Sequence, residues 1–421
     1  MQCERISLSG DPAAVVVHLR GLVPAADSVS ADVAEIIARV RAGGDAAVVD
    51  YTRRLDTGGA EPKQLRVANG ELDAAAAGLH PDVRHGLERA IANVEAVAAA
   101  RAHRERTSVE LGSHVIRLGH VPVERAGVYV PGGRAPYPST VVMGVVPARV
   151  AGVREVAVCA PPGADGDVNP VILGACRLAG ASPVYRMGGA QAIAALAYGT
   201  ESVAAVEVIV GPGNLYVQEA KRQVFGQVGI DGFAGPSDLL LIADGGVDPR
   251  PLGLDLLAQA EHGPGTLVIG VSTDPALLDS LAASLAGGAD TGAVAALIDV
   301  EDPEGALALA EEFAPEHLQL VGPDTEELAP RVTRAGCVFI GEASATAFGD
   351  YIAGSNHILP TSGAARFASG LSPEHFLRAV TEVRIADGSE LAREAVPIAR
   401  AEGFELHARS MEARIRDNHS R

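Results

Sequence analysis

Apolar residues in the first part of the chain recur at the spacing of one helix face. In the first such segment they are Val33, Ile36, Ile37 and Val40. In the second, which follows Pro81, they are Val83, Leu87, Ile91 and Val94. The pattern predicts one helix that is capped by Ser30 and ends at Gly43-Gly44, and a longer helix after Pro81.

From Gly127 the pattern changes to short β-branched runs that alternate with Ala-rich helical segments. The first series of runs is Val128–Val130, Val156–Cys159, Val184–Met187 and Val208–Val210. The second series is Leu239–Ala243, Leu267–Val271, Leu297–Val300, Leu318–Val321 and Cys337–Ile340. Strands that alternate with helices at this spacing predict βαβ units and parallel sheets. Because the two series are similar in length, we expect two similar α/β lobes that meet near Asp238.

The chain after about Phe367 is polar and is again predicted to be helical, with helices starting at Ser389 and Pro397. The apolar face of the last helix consists of Phe404, His407, Ala408, Met411 and Ile415. Such a face needs a partner surface, on its own chain or on another.

These patterns predict an α/β fold in four parts. A mainly helical N-terminal region spans 1–126, and a helical C-terminal tail spans 367–421. Between them lie a first lobe at 127–237 and a second lobe at 238–366. With 48% apolar residues and no Trp, the core must be built from aliphatic side chains, as is typical of buried parallel strands with covering helices.

Charge and cysteine content narrow the class of protein. The net charge of −19 argues against a nucleic-acid partner, since phosphate binding needs clustered Lys and Arg. The N-terminus has no apolar segment typical of a signal peptide, and Pro147 and Arg149 interrupt the longest apolar stretch, so no membrane span is predicted. The four cysteines are scattered and suggest neither a disulfide framework nor a paired metal site. We expect a cytoplasmic protein.

Small residues follow three strands of the first lobe, where ligands bind in open α/β sheets. The loops are Val130-Pro131-Gly132-Gly133, Gly188-Gly189-Ala190-Gln191 and Gly211-Pro212-Gly213-Asn214. They permit close approach of a phosphate or a ring, but ordinary turns have the same composition. Neither GxGxxG after a strand nor GxxxxGK occurs.

Candidate chemistry concentrates in the second lobe and the tail. The residues concerned are Gln259 and His262, Glu316-His317, Asp350 and His357, and Glu402 with His407. Imidazole, carboxylate and carbonyl oxygen together suit zinc, and Glu next to His suits proton transfer near neutral pH. Each also has a structural interpretation: His262 as a helix cap, Glu316-His317 as a solvated corner, His407 as a core histidine.

Eight segments along nearly the whole chain resemble the histidinol dehydrogenase family. They are GVYVPGGRAPYPSTVVMGVVPARVAGV, GGAQAIAALAYGT, VGPGNLYVQEAKRQV, AGPSDLLLIAD, LLAQAEHGPGT, FAPEHLQL, FGDYIAGSNHILPT and AEGFELHARS. Their order and separation are also similar to the family's. The resemblance implies two incomplete Rossmann-like lobes and an intertwined homodimer. It implies NAD-dependent oxidation of L-histidinol to L-histidine through an aldehyde, the last step of histidine biosynthesis.

The resemblance also implies roles for individual residues. The zinc ligands would be Gln259, His262, Asp350 and, from the other subunit, His407. Glu316 would activate water, and His317 would be the acid–base residue. The substrate would be bound by Ser237, His357 and Glu402 together with the ligands and His317. The residues that would hold NAD are Tyr129, Gln191 and Asn214.

The chain departs from the family pattern in two places. Asp238 stands where the family more usually has Glu, and GLSPEHFLR is an atypical version of its segment.

Besides histidinol oxidation, two alternatives remain open at the level of sequence. A relative with the same zinc and NAD chemistry could oxidise another small alcohol, such as a sulfonated propanediol. A two-lobed binding protein without catalysis is the third possibility, but it has no need for Glu316-His317 beside a metal set.

Overall fold

The computed structural model describes residues 3–23, 28–102, 106–132, 135–233 and 235–416. The chain divides into two compact units. The first consists of Met1–Ala102 and Val123–Phe376, and the second of His103–Pro122 and Leu377–Arg421. No helix in the described ranges combines the length and apolar character needed to cross a bilayer.

The strands, numbered along the chain, form three sheets in the described residues. They are β1 Cys3–Ser7, β2 Thr107–Leu111, β3 His114–Pro122, β4 Arg125–Tyr129, β5 Glu155–Ala160, β6 Val184–Arg186, β7 Val208–Val210, β8 Gly229–Ile230, β9 Asp238–Ala243, β10 Leu267–Ser272, β11 Val294–Asp299, β12 His317–Val321, β13 Cys337–Ile340 and β14 Leu377–Ile385. The predicted strands of both lobes are confirmed, with ends that differ by at most three residues.

The helices are α1 Pro12–Gly21, α2 Ser30–Leu55, α3 Asn69–Ala77, α4 Pro81–Arg101, α5 Pro138–Ala151, α6 Pro170–Ala179, α7 Gly189–Tyr198, α8 Leu215–Val224, α9 Pro249–Ala260, α10 Pro275–Gly287, α11 Pro303–Phe313, α12 Pro323–Glu326, α13 Thr346–Tyr351, α14 Ser389–Ala401 and α15 Glu405–Glu412. Several begin with an Asp or Asn cap followed by Pro. In these the cap side chain accepts a backbone N–H of the first turn, and the caps are Asp11, Asn169, Asp248, Asp274 and Asp302.

The first lobe is a five-stranded parallel sheet in the order β6-β5-β4-β7-β8. Alternate strand residues face two separate cores, one with α4, α5 and α6 and the other with α2, α7 and α8. The chain winds outward from β4 in both directions, so the strand order reverses between β4 and β7. The carboxyl ends of these two strands flank a crevice of the kind that binds ligands in open α/β sheets.

The second lobe is a six-stranded parallel sheet in the order β1-β11-β10-β9-β12-β13. Here α1 and α11 cover one face, while α9 and α10 cover the other. Starting from β9, the chain follows the same winding as in the first lobe, which confirms the expectation of two similar lobes. The edge strand β1 was not expected from the sequence, because its segment CERIS is short and mostly polar.

Three details of the predicted helices are wrong. Ser30 is the first residue of α2 and does not cap it through its side chain. The helix resumes after Gly44, whose φ of 53° marks a kink, and continues to Leu55. Pro397 lies inside α14 and does not start a helix. In both places tertiary packing continues a helix past a residue that disfavours it.

The second unit contains the antiparallel sheet β14-β3-β2 and the helices α14 and α15. The helical tail is confirmed, with β14 as an additional element. Ala408 and Met411 pack against Val396 and Ala399 of α14. The face predicted for the last helix is thus partly covered within the chain, whereas Phe404 stays exposed.

Close packing of α5 on the five-stranded sheet generates a stability prediction. A Cβ at Gly144 would collide with Cγ1 of Val128. We expect Gly144→Ala to cost about 1–3 kcal/mol through overpacking, seen as a lower midpoint of urea unfolding. The control is Gly86→Ala on α4, where a Cβ meets no atom within 4 Å, and where helix propensity should raise the midpoint. Equal midpoints for the two variants would contradict the proposed packing.

Candidate functional site

The candidate catalytic residues lie at the amino edge of the six-stranded sheet. Strand β12 pairs in parallel with β9, and His317 at its first position is level with Leu239. Asp238 and Glu316, one residue earlier on each strand, are therefore neighbours. The site of this lobe is at the opposite edge from the one where ligands usually bind in such sheets.

Glu316 and Asp238 hold each other through reciprocal hydrogen bonds. The backbone N–H of Glu316 donates to Oδ1 of Asp238 at 2.6 Å, and the backbone N–H of Asp238 donates to Oε2 of Glu316 at 3.1 Å. Both residues are buried. Burial and the charge of Glu316 raise the pKa of Asp238 to about 7, while burial raises the pKa of Glu316 against the opposing effect of His317.

Ser237 links Glu316 to Gln259. Its hydroxyl donates to Oε2 of Glu316 and accepts a hydrogen bond from Nε2 of Gln259 at 2.6 Å. Gln259 is buried near the end of α9. Because its amide nitrogen is engaged by Ser237, its carbonyl oxygen is the end left to bind a metal or a ligand.

His317 is buried between two carboxylates. Its Nδ1 donates to the carbonyl oxygen of Asp238 at 3.2 Å, and its Nε2 lies 3.8 Å from Oδ1 of Asp350. Burial by itself lowers the pKa of His317, but Glu316 and Asp350 outweigh it and raise the pKa to about 9. Nε2 is thus the ring nitrogen that faces the other candidate site residues.

The segment from Asp350 to His357 connects this edge to the first lobe. Nδ1 of His357 donates to the carbonyl oxygen of Asp350 at 2.9 Å, and its Nε2 lies 3.2 Å from Oγ1 of Thr140 on α5. Next to it, the side-chain amide of Asn356 donates to the carbonyl oxygen of Met143 at 2.8 Å. Since α5 follows the carboxyl end of β4, the amino edge of the second sheet and the carboxyl edge of the first are tied together here.

The protonation states in this cluster suit a divalent metal ion. Desolvation lowers the pKa of His262 and of His357, which favours the neutral imidazole that metals bind. Although burial opposes it, the charge of His317 and of the other two histidines lowers the pKa of Asp350. Neutral imidazole, carboxylate and amide oxygen are ligands that zinc accepts. Within the described ranges, however, no group of three or more His, Cys, Asp or Glu is arranged to hold a metal.

The residues expected to hold NAD lie at the carboxyl edge of the first sheet. Tyr129 ends β4 and is buried, with its hydroxyl accepting the N–H of Gly189 at 3.2 Å. Gln191 is buried in the first turn of α7. Asn214 is exposed and caps α8, its Oδ1 accepting the N–H of Val217 at 3.1 Å. Gly133, in the first of the predicted loops, lies outside the described residues.

Glu402 and His407 belong to the second unit, whereas the other candidate site residues belong to the first. Glu402 lies between α14 and α15. It is followed by Gly403, whose φ of 82° is in the left-handed region. His407 is exposed on α15, with its ring centroid 5.2 Å from that of Phe404. Its exposure argues against the interpretation of His407 as a core histidine.

Sequence reasoning missed two contacts of this site. Asp238 was noted only as a departure from the family pattern, yet its carboxylate holds the backbone of Glu316. Thr140 carried no signal, because its contact with His357 joins residues 217 positions apart. Position at the start of a strand could have pointed to Asp238, but no local pattern could have pointed to Thr140.

Comparison with known proteins gives a consistent result. The family model described as histidinol dehydrogenase matches residues 23–415. A histidinol dehydrogenase of Synechococcus sp. is 43% identical over 397 residues, covering 91% of this chain and 92% of the relative. That of Pseudomonas aeruginosa is 44% identical over 405 residues, covering 93% and 92%.

The fold agrees with the sequence relationship. A crystal structure of histidinol dehydrogenase from Elizabethkingia anophelis superposes with a TM-score of 0.90 at 31% identity, covering 98% of both chains. The described geometry brings His317 close to both Glu316 and Asp350. The chain therefore belongs to the histidinol dehydrogenase family.

Proposed function

We propose that this protein oxidises L-histidinol to L-histidine with NAD, in two successive hydride transfers through the aldehyde. The observation that carries this proposal is the buried pair Glu316-His317, next to Asp350 and linked through Ser237 to Gln259, in a chain of this family. The reaction consumes two NAD and one water for each histidinol. Its place in amino-acid biosynthesis agrees with the cytoplasmic location expected above.

His317 is the proposed acid–base residue in both oxidations. Its Nδ1–H is held by the carbonyl oxygen of Asp238, which fixes the ring and leaves Nε2 for the substrate hydroxyl. Removal of the hydroxyl proton assists the departure of hydride from the same carbon. It requires the neutral ring, and a metal ion held by Asp350 would lower the pKa of His317 by offsetting one of the carboxylates that raise it. A positioned general base of this kind contributes about 10²–10⁴-fold to the rate.

Glu316 is the proposed base for the water that adds to the aldehyde. The described donors from Ser237 and Asp238 engage Oε2, so we assign proton transfer from water to Oε1. Burial raises the pKa of this carboxyl, which makes it a stronger base than an exposed carboxylate. The resulting hydrate carries the hydroxyl from which the second oxidation starts.

The proposed metal ligands are Gln259, His262 and Asp350, with His407 from the partner subunit. When bound, zinc would hold the imidazole and amino nitrogens of histidinol and so fix its alcohol carbon. Two residues would support these ligands without binding the metal. The hydroxyl of Ser237 accepts from the amide nitrogen of Gln259, and Nδ1 of His357 donates to the carbonyl oxygen of Asp350. Ser237, His357 and Glu402 remain the proposed substrate contacts.

NAD is proposed to bind at the carboxyl edge of the first sheet, near Tyr129, Gln191 and Asn214. Its nicotinamide would accept the hydride in each step. Contacts of α5 with His357 and Asn356 join this edge to the catalytic edge of the second sheet. This connection supports a hydride path between a cofactor on one lobe and a substrate on the other.

Histidinol is favoured over other small alcohols, because the relatives named above are histidinol dehydrogenases. The direct test is the appearance of NADH from L-histidinol and NAD with purified protein, with and without a chelator. Rescue of a histidine auxotroph that lacks this activity tests the same point in cells. Activity on a sulfonated propanediol without activity on histidinol would overturn the substrate assignment.

Glu316→Gln should slow conversion of the aldehyde by about 10²-fold or more, and the first oxidation much less, because an amide cannot accept the proton of water. Assays with the alcohol and with the aldehyde as separate substrates measure the two oxidations. The matched control is Glu304→Gln, an exposed partner of Arg331 in the same lobe, which should change neither. Equal losses in both halves would contradict the role of Glu316.

His262→Ala should lose bound zinc and affinity for histidinol together, while the fold survives on the cores of the two lobes. Elemental analysis measures the zinc content, titration with histidinol measures the affinity, and far-UV circular dichroism reports whether the fold survives. His85→Ala, an exposed histidine of α4, is the control and should retain its metal. Full zinc content in the His262→Ala protein would exclude it as a ligand.

We propose a homodimer in which His407 completes the site of the partner subunit. Co-expression of His317→Ala and His407→Ala chains then forms mixed dimers with one doubly defective site and one intact site. With random pairing, two inactive parents should recover about a quarter of normal activity. Differential tags confirm that mixed dimers form. If they form without activity, His407 acts within its own chain. An active His407→Ala parent would instead show that His407 takes no part in the reaction.

A further inference from the structure

The side-chain amide of Gln191, proposed above to contact NAD, has a hydrogen-bond partner for its nitrogen and, among the described residues, none for its oxygen. Its side chain is fully buried at the start of α7. Its Nε2 donates to Oδ2 of Asp56 at 3.2 Å. Its Oε1 is buried and, among the described residues, has no hydrogen-bond partner. A buried acceptor without a donor is unfavourable, so a ligand donor at this position would be bound with a net gain.

Asp56 comes from a different part of the chain, immediately after α2. Besides Gln191, its carboxylate accepts the backbone N–H of Gly188, in the loop between β6 and α7. Burial raises the pKa of Asp56 to about 6, so the carboxylate form prevails at neutral pH. Since an ionised carboxylate only accepts hydrogen bonds, the amide of Gln191 must turn its nitrogen towards Asp56.

Two glycines let the backbone of this loop lie directly against Gln191 and Asp56. Gly189 has a φ of 60°, and a Cβ there would come within 2.6 Å of Oε1 of Gln191. A Cβ at Gly188 would come within 3.2 Å of Oδ1 of Asp56. The backbone N–H of Gly189 donates to Tyr129, another proposed NAD contact. The two glycines thus bring backbone, Tyr129 and Gln191 together at the carboxyl edge of the sheet.

We propose that Asp56 is a positioning residue for NAD, which orients the amide of Gln191 so that its oxygen accepts an N–H or O–H of the cofactor. The donor classes that fit are the carboxamide of the nicotinamide and the hydroxyls of a ribose. This inference rests on the proposed function, and it adds a residue from the N-terminal helices to the cofactor site. The competing interpretation is that Asp56 only anchors α2 to the Gly188 loop.

The test compares three proteins: Asp56→Asn, Gln191→Met and the double variant. Binding of NADH is followed by the fluorescence of NADH, which the Trp-free chain leaves undisturbed. In Asn one carboxylate oxygen is replaced by a donor NH2 group, which can pair with the oxygen of Gln191 as readily as the remaining oxygen pairs with its nitrogen, so the amide of Gln191 loses its fixed orientation. Asp56→Asn should raise the Kd for NADH and the KM for NAD about tenfold. The KM for histidinol and the zinc content should stay within about twofold.

The double variant separates positioning from direct contact. If Asp56 acts through Gln191, Asp56→Asn adds no loss of NADH affinity once Gln191 is Met. Additive losses would show that Asp56 acts independently and would overturn the proposal. The matched control is Asp45→Asn, which removes a carboxylate of α2 that binds Thr200 and Ser202 away from this loop, and it should leave the Kd unchanged.

Four further outcomes are decisive. An unchanged Kd in Asp56→Asn would overturn the proposal, as would an equal loss in Asp45→Asn, which would indicate a general effect of packing. Asp56→Ser is a second variant that should weaken NADH binding in the same way, and failure of both Asp56 variants to fold would assign Asp56 a structural role. Failure of the unsubstituted chain to bind NADH would instead refute the proposed NAD dependence itself.

Discussion

The parallel pairing of β9 with β12 is the constraint on which the candidate site depends. Parallel strands begin at the same edge of a sheet, so residues 78 positions apart in the chain start side by side. This brings the backbone of Asp238 against Glu316, and their reciprocal hydrogen bonds fix the register. Ser237 and His317 then lie next to Oε2 of Glu316, and Gln259 donates to the hydroxyl of Ser237.

The candidate site concentrates charged side chains in a buried environment. Asp238 and Glu316 are buried next to each other, an arrangement that costs free energy unless hydrogen bonds and opposite charge offset it. His317 supplies the opposite charge, which is why its pKa rises although burial alone would lower it. Such strongly shifted groups are typical of sites whose chemistry needs them, and they are poor candidates for stabilising the fold.

At the carboxyl edge of the first sheet, a glycine and an ion pair fix the backbone of the loop after β7. Gly211 has a φ of 119°, and any side chain there would collide with the carbonyl oxygen of Tyr129. Its peptide is held from both sides: its N–H donates to Asp231 at 2.7 Å, and Lys221 donates to its carbonyl oxygen at 3.1 Å. Lys221 and Asp231 form a buried ion pair with each other. Tertiary contacts thus hold this loop in a chain that has no GxGxxG pattern after a strand.

The sequence by itself determined the two lobes and most of their elements, because apolar runs and Asp-Pro or Asn-Pro starts are local signals with a direct physical cause. It did not reveal β1, whose polar segment becomes a strand only by pairing with β11, nor the kink at Gly44 inside α2. The resemblance to a family named the candidate residues, but local pattern could not show that they meet. Only the tertiary structure decided that Thr140 reaches His357 and that Asp56 reaches Gln191, since contacts between residues 135 or more positions apart depend on how strands pair and helices pack, which no local pattern records.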